Sequence, residues 1–198
     1  MIDVWAPRAE RVELIVGDGE RRPMNGPDEH GWHRADVVLA PSTDYGFSLD
    51  GGAERADPRS RWQPHGTAGR SRTIDHDTFA WTDQRWHGLP LAGSVIYELH
   101  VGTFTEMGTF HAAIARLDAL VDLGITTVEL LPVASFAGTR GWGYDGVLLY
   151  APHHTYGGTD GLKRFVDAAH ARGLQVLLAH GWIHPTLAPW GAAIFRIG

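Results

Sequence analysis

The feature that most restricts the fold of this 198-residue chain is a change of hydrophobic period near residue 93. Ser94-Val95-Ile96-Tyr97-Glu98-Leu99-His100-Val101 reads as a strand. Phe110, Ile114, Leu117, Leu120 and Val121 then recur at the 3.6-residue period, predicting a helix from Phe110 to Leu123. Thr109 is its N-cap candidate and Gly124 its C′ residue. Thr126 to Pro132 is a second strand, followed by a long glycine-rich loop. Asp160 to Arg172 is a second helix, with Leu162, Phe165, Val166 and Ala169 inward and Gly173 as its stop. Leu174 to Leu178 is a third strand. The order β-α-β-α-β implies parallel strands joined by crossover helices. Pattern alone leaves open whether they start a doubly wound sheet or a (β/α)₈ barrel. After Val101 come Gly102-Thr103-Phe104-Thr105, which is no phosphate-binding fingerprint, so a Rossmann nucleotide site is disfavoured.

The preceding residues follow a different pattern. Val12-Glu13-Leu14-Ile15-Val16 is a short strand closed by Gly17-Asp18-Gly19. Gly31 to Leu39 reads as another, and Tyr45 to Asp50 alternates before Gly51-Gly52. Short strands at this spacing predict a small β-sandwich over residues 1–88. Residues 56–93 carry little periodicity and read as a connector wrapping a neighbouring unit. The second unit is then expected over 94–198.

Composition removes several classes of function. Hydrophobic residues make up 43% and charged residues 20%, which fits a globular chain rather than a disordered one. The formal charge is −6, and no basic run offers a nucleic-acid surface. No apolar run reaches the roughly 18 residues of a membrane span. Cysteine is absent, which excludes disulfides and thiolate metal sites and suits a cytoplasmic location. The start, Met1-Ile2-Asp3-Val4-Trp5, has no signal-peptide character. Eight tryptophans serve either core packing or stacking on pyranose rings.

Several strings resemble the α-amylase superfamily of glycoside hydrolases, and more narrowly the malto-oligosyltrehalose trehalohydrolases. They are Val4-Trp5-Ala6-Pro7; Asp57-Pro58-Arg59-Ser60-Arg61-Trp62-Gln63-Pro64; Tyr97-Glu98-Leu99-His100-Val101-Gly102-Thr103-Phe104-Thr105; and Val128-Glu129-Leu130-Leu131-Pro132-Val133. Gly141-Trp142-Gly143-Tyr144-Asp145-Gly146-Val147 and Tyr156-Gly157-Gly158 continue the series, with Gly161 to Val166 and His170 to Leu174. The resemblance implies an N-terminal immunoglobulin-like sandwich and then the first βαβαβ part of an incomplete (β/α)₈ barrel. It implies cleavage of the α-1,4 bond next to the terminal trehalose of maltooligosyltrehalose, with no cofactor. Glycogen branching and debranching enzymes, and a non-catalytic carbohydrate-binding module, are the alternatives. The module would need Trp5 and Trp32 exposed in one coplanar patch.

The resemblance also assigns residues. Catalysis would need a nucleophilic Asp after strand four, a Glu acid after strand five and a supporting Asp after strand seven. None is present in this chain, which is therefore expected to be inactive alone and poorly stable. Tyr144 and Asp145 would contribute to the sugar-binding floor, the bland reading being loop packing and a capped turn. His184 is a third substrate-binding candidate. Around it, Ala179 and Ile183 stand where the family has Asp and Asn, and Pro185 to Gly198 has no counterpart in the pattern. A truncated or shifted reading frame is expected there, with a diverged tail as the alternative. His100 is expected to be structural, and His153-His154, adjacent in sequence, makes a poor metal pair. Glu98 and Glu129 are expected as polar anchors of the barrel interior. The third strand is expected to be apolar on both faces, with an open edge.

Overall fold

The computed structural model describes residues 2–179. Its first half is antiparallel. β1 (Ile2–Trp5) is paired with β4 (Trp32–Ala35). β2 (Val12–Val16) lies between β3 (Glu20–Pro23) and β5 (Asp44–Leu49), and β6 (Ser71–Arg72) extends this sheet beyond β5. The alternation along each strand decides what is buried. Val12 and Leu14 face one core with Tyr45 and Phe47, and Leu14 sits directly opposite Phe47 in the register. Val4 and Ala35 close that core from the two-stranded sheet. Val4, Val12, Leu14 and Phe47, taken out of water here, each contribute roughly 1.5–3 kcal/mol.

The connector is tied to this half by a buried polar network. The Tyr45 hydroxyl donates to Asp57 Oδ2 at 2.7 Å, the Asp57 N–H to Ser71 Oγ at 2.9 Å, and Ser71 Oγ to Gln63 Oε1 at 3.0 Å. Asp57, Ser71 and Gln63 are all buried. Burial pushes the Asp57 carboxyl up, against the pull of the Tyr45 hydrogen bond. The stretch expected to lack regular structure thus supplies β6, because Arg72 and Ser71 complete the ladder to Asp44 and Tyr45.

The second half is parallel. β7 (Ile96–Leu99) is followed by a single turn, α1 (Val101–Phe104), then α2 (Phe110–Ile114) and α3 (Leu117–Asp122), and then β8 (Thr127–Leu130). The Thr109 side chain caps α2 by accepting from the Ala112 N–H at 3.2 Å. The single helix predicted over Phe110–Leu123 is divided in two. At the break the Arg116 N–H bonds to Ala113 O, three residues back rather than four, and tightens the turn. The long loop after β8 contains a small antiparallel pair, β9 (Ala134–Ser135) with β10 (Leu148–Pro152). α4 (Gly158–His170) and β11 (Gln175–Leu178) complete the order β11-β8-β7. Among the described residues no sheet takes strands from both halves.

The two faces of the parallel sheet differ. Tyr97 and Leu99, Val128 and Leu130, Val176 and Leu178 share the face packed against the helices, whose core holds Phe110, Leu117 and Phe165. The other face carries Ile96 and Glu98, Thr127 and Glu129, Gln175 and Leu177. The register sets Glu98, Glu129 and Leu177 side by side. Leu177 keeps the third strand apolar on this face as well, whereas the two neighbouring strands set Glu98 and Glu129 beside it, so the face as a whole is mixed. A buried parallel strand reads as continuous apolar residues only where both faces meet apolar partners.

The connector also straps α4. Thr82 donates through both its N–H and its hydroxyl to Asp167, each at 2.8 Å, and His170 pairs with Asp83 at 2.6 Å under a stacked Trp86. The Thr159 hydroxyl reaches Arg61 O at 2.6 Å. Gly158, at φ +61°, lies so close to Trp62 that a Cβ there would fall 1.9 Å from the indole ring.

Candidate active-site face

The ends of the parallel strands create the candidate site. The Leu131 N–H donates to Leu99 O and the Ala179 N–H to Leu130 O, both at 2.9 Å, so the three carboxyl ends lie level. His100 leaves β7 at this end. Its Nδ1 lies 3.3 Å from the Thr103 hydroxyl and its Nε2 3.2 Å from the Tyr156 hydroxyl, with the two rings edge to face. Both ring nitrogens are thus satisfied, as a structural histidine requires. Tyr156 is buried, and burial pushes its phenol up, so it stays a neutral hydrogen-bonding partner.

The loop carrying Tyr144 and Asp145 rises from the same end. Gly143, at φ +94°, sits against Pro132, the second residue after β8, and a Cβ there would fall 2.8 Å from Pro132 O. Only glycine combines that φ with so close a backbone approach. Asp145 Oδ2 accepts from the Trp142 N–H at 3.3 Å, which closes the turn. A Cβ on Gly141 would lie 3.0 Å from Phe136 and 3.2 Å from Asp145 Oδ2, so Phe136 is the floor of the turn. Above this floor Tyr144 is 58% and Trp142 83% exposed. Asp145 thus caps a turn, and Tyr144 and Trp142 are the aromatic side chains the turn presents to solvent. His184 lies outside the described residues, as does the stretch after it.

Beneath the loop is an arrangement that the sequence reading missed. His153 is fully buried and stacks on Phe136, with ring centroids 3.7 Å apart and an angle of 18°. Its backbone N–H donates to Val133 O at 2.8 Å, just before β9. Among the described residues neither ring nitrogen has a hydrogen-bond partner. Burial first, and the neighbouring His154 second, push its pKa down to about 4, so it is a neutral aromatic plate at ordinary pH. The sequence signal was the histidine pair itself, but stacking on a residue 17 positions earlier has no local signature. Among the described residues no group of three or more His, Cys, Asp or Glu side chains is arranged to hold a metal ion.

The tryptophans of the antiparallel half are placed as follows. Trp5 and Trp32 are directly opposite in the β1–β4 register, on the outward face. Trp5 is 58% exposed and donates from Nε1 to His30 O. Trp32 is half-buried, with the Arg59 guanidinium 5.1 Å over its ring. A bare coplanar pair is not what this face offers. Among the described residues no helix is long and apolar enough to cross a membrane.

No family model matches the chain. Comparison with individual proteins does. It is 52% identical over 177 residues to the malto-oligosyltrehalose trehalohydrolase of Arthrobacter ramosus, covering 88% of this chain and 31% of that protein. It is 50% identical over 203 residues to the enzyme of the same name from Rhizobium sp. (strain M-11), covering 99% of this chain and 34% of that one. The 1,4-alpha-glucan branching enzyme GlgB of Vibrio cholerae is less similar, at 35% over 195 residues. Among solved structures, a Salmonella typhimurium protein assigned as an α-amylase superposes with a TM-score of 0.86 at 40% identity. That match covers 98% of this chain and 36% of the other. The chain spans about a third of the length of the curated relatives it matches. Over the third of those enzymes that it spans, the chain is similar in sequence to the malto-oligosyltrehalose trehalohydrolases, and its fold superposes on that of an α-amylase-type protein.

Proposed function

We propose that this chain is part of a glycoside hydrolase that cleaves the α-1,4-glucosidic bond next to the terminal trehalose of maltooligosyltrehalose, releasing trehalose for its biosynthesis. The observation that carries this is the 52% identity over 177 residues to a trehalohydrolase. The branching-enzyme alternative is disfavoured by its lower identity. Residues 1–88 are read as an immunoglobulin-like sandwich with its connector. Residues 94–198 are read as the opening part of a (β/α)₈ barrel, in which active sites gather at the carboxyl ends of the strands. The substrate is a maltooligosaccharide, no cofactor is needed, and a cytoplasmic location suits a chain without cysteine.

The chemistry needs two carboxyl groups flanking the scissile bond, roughly 5 Å apart in a retaining enzyme. Those groups are not among the residues of this chain. Its contribution is positional. Tyr144 offers an exposed aromatic face for a glucosyl ring, on a turn held rigid by Asp145, Gly143 and Phe136. His184 would hydrogen-bond the same sugar. His100 and Tyr156 brace the strand end behind them.

The test is a chimera in which residues 1–178 replace the matching third of the Arthrobacter ramosus enzyme. It is expected to release trehalose from maltooligosyltrehalose, while the 198-residue chain alone gives no turnover above a buffer blank. Tyr144→Ala in the chimera is expected to lower kcat/KM by about 10- to 100-fold, the loss of roughly 1.4–2.7 kcal/mol of transition-state binding. A folded chimera that releases only glucose or maltose would refute the assignment.

A further inference from the structure

Away from the strand ends, a cavity of about 320 Å³ opens where the antiparallel half, the connector and α4 meet. Its lining includes Trp62, Ser42, Thr73, Thr78, Asp75 and Asp160. We propose that this cavity is an accessory binding site for a single pyranose unit, separate from the Tyr144 loop.

The lining is built for hydroxyl groups. Thr78 uses its hydroxyl proton on Asp75 O at 2.9 Å, and Thr73 uses its own on Ala40 O at 2.6 Å. The Thr78 oxygen therefore faces a ligand as an acceptor rather than a donor, while the Thr73 oxygen already accepts the Thr43 N–H at 2.9 Å and holds that wall in place. Asp75 Oδ1 takes the Asp77 N–H at 3.0 Å, and among the described residues Oδ2 has no hydrogen-bond partner. Asp160 adds a second carboxylate from the first turn of α4. Such a wall accepts from several O–H donors at once, and hydrogen bonds to a charged acceptor are the stronger kind. A sugar supplies those donors and has an apolar C–H face for an aromatic ring.

Trp62 supplies the ring, and it is held in place. Its carbonyl takes the Arg72 N–H at 3.0 Å and the Ser60 hydroxyl at 2.8 Å, while its indole lies against the Cβ-less Gly158. No rotamer has to be ordered on binding, which lowers the entropic cost. The volume is at the small end of ligand pockets, suited to one ring rather than a chain.

Two carboxylates could equally attract a cation, and the surroundings argue against that. His76, next to Asp75, lies within the field of Lys163 and Arg61 as well as that of Asp160. Lys163 is 1% exposed, reaches only His76 O and the Phe79 ring among the described residues, and has no carboxylate partner there. Lys163 and Arg61 thus put positive charge around His76, beside Asp75, which disfavours a cation and favours a neutral polyol. That glucose is the sugar rests on the proposed function; the preference for a neutral polyol does not.

The experiment follows the Trp62 indole N–H by ¹H–¹⁵N correlation in the isotopically labelled 198-residue chain. Glucose, maltose, trehalose and, as a cationic probe, choline are titrated. A saturable sugar shift at Trp62 is expected, weakened about tenfold or more by Asp160→Asn and unchanged by Tyr144→Ala; in Trp62→Phe, which lacks the indole reporter, the backbone amide of Thr78 should show the same weakening. Asp160 is exposed, so its variant reports binding rather than folding. The proposal is overturned if no sugar gives a saturable shift there, if Asp160→Asn leaves the affinity unchanged, or if choline binds and displaces sugar. Sugar shifts confined to the Trp142–Asp145 turn would sink this site and leave the proposed function standing. Binding at Trp62 with an inactive chimera would do the reverse.

Discussion

The antiparallel and parallel halves cover their sheets in different ways. In the antiparallel half, two sheets give each other an inner face, and neighbouring strands are joined by short turns such as Gly17-Asp18-Gly19 between β2 and β3. In the parallel half each strand must travel through a helix before it can pair again, and the helices cover one face only. The other face shows Glu98 and Glu129 side by side, with Ile96 44% exposed. A local hairpin closes its own core, whereas a crossover unit leaves a face for further chain to cover. The two halves are joined through polar contacts, Thr82 to Asp167, Asp83 to His170 and Arg61 to Thr159, rather than through a shared sheet.

The largest effect should separate the halves outright. Phe165→Ala and Phe47→Ala each empty a fully buried site, one in each core, and should each cost about 3–5 kcal/mol. Hydrogen exchange read peptide by peptide is the measurement. Phe165→Ala should strip protection from β7, β8 and β11 while β2 and β5 keep theirs, and Phe47→Ala should do the opposite. Loss of both sets in either variant would show that the polar strap couples the halves into one cooperative unit.

Acid should act next, and on the parallel half. His153 has a folded pKa pushed down to about 4 from an ordinary 6.5. The unfolded chain therefore binds the extra proton first, and stability falls as pH drops from about 6.5 to about 4, by roughly 3 kcal/mol in all. His153→Phe should flatten this slope in denaturant titrations. Asp44 and Asp118, held low by Arg72 and Arg172, lose their contribution only below the ordinary carboxylate range. Asp57, raised by burial, works in the opposite sense as it takes up its proton. A slope unchanged in His153→Phe between pH 6.5 and 4 would move the acid sensitivity elsewhere.

The smallest effect concerns the uncovered face. Like charges directly opposite on neighbouring strands are unfavourable by a few tenths to 1 kcal/mol. Glu98→Gln should therefore stabilise the chain by about 0.5 kcal/mol, and more at low salt than at high. A destabilised variant would mean that Glu98 already has a favourable partner on that face.

The period change near residue 93, the helix face of Phe110, Leu117 and Leu120, the Thr109 cap and the stop at Gly124 are all local statements, and one sequence contains them. Their geometry follows from short-range rules: a cap reaches three residues, a face repeats every 3.6, a left-handed turn needs glycine. The run Gly141 to Val147 points to Tyr144 and Asp145 through its resemblance to a family, not through a local rule. What only the tertiary structure decided joins residues far apart. It set Glu98 beside Glu129 across the sheet, laid His153 on Phe136, placed Trp62 against Gly158, and made Ser71 and Arg72 a strand by giving them an edge to pair with. A strand's inward face, a histidine's charge and a cavity's lining depend on which distant segment arrives beside them. Pairing and burial across such separations are settled by competition among all segments for the same apolar and hydrogen-bonding surfaces, and no local window of sequence holds that comparison.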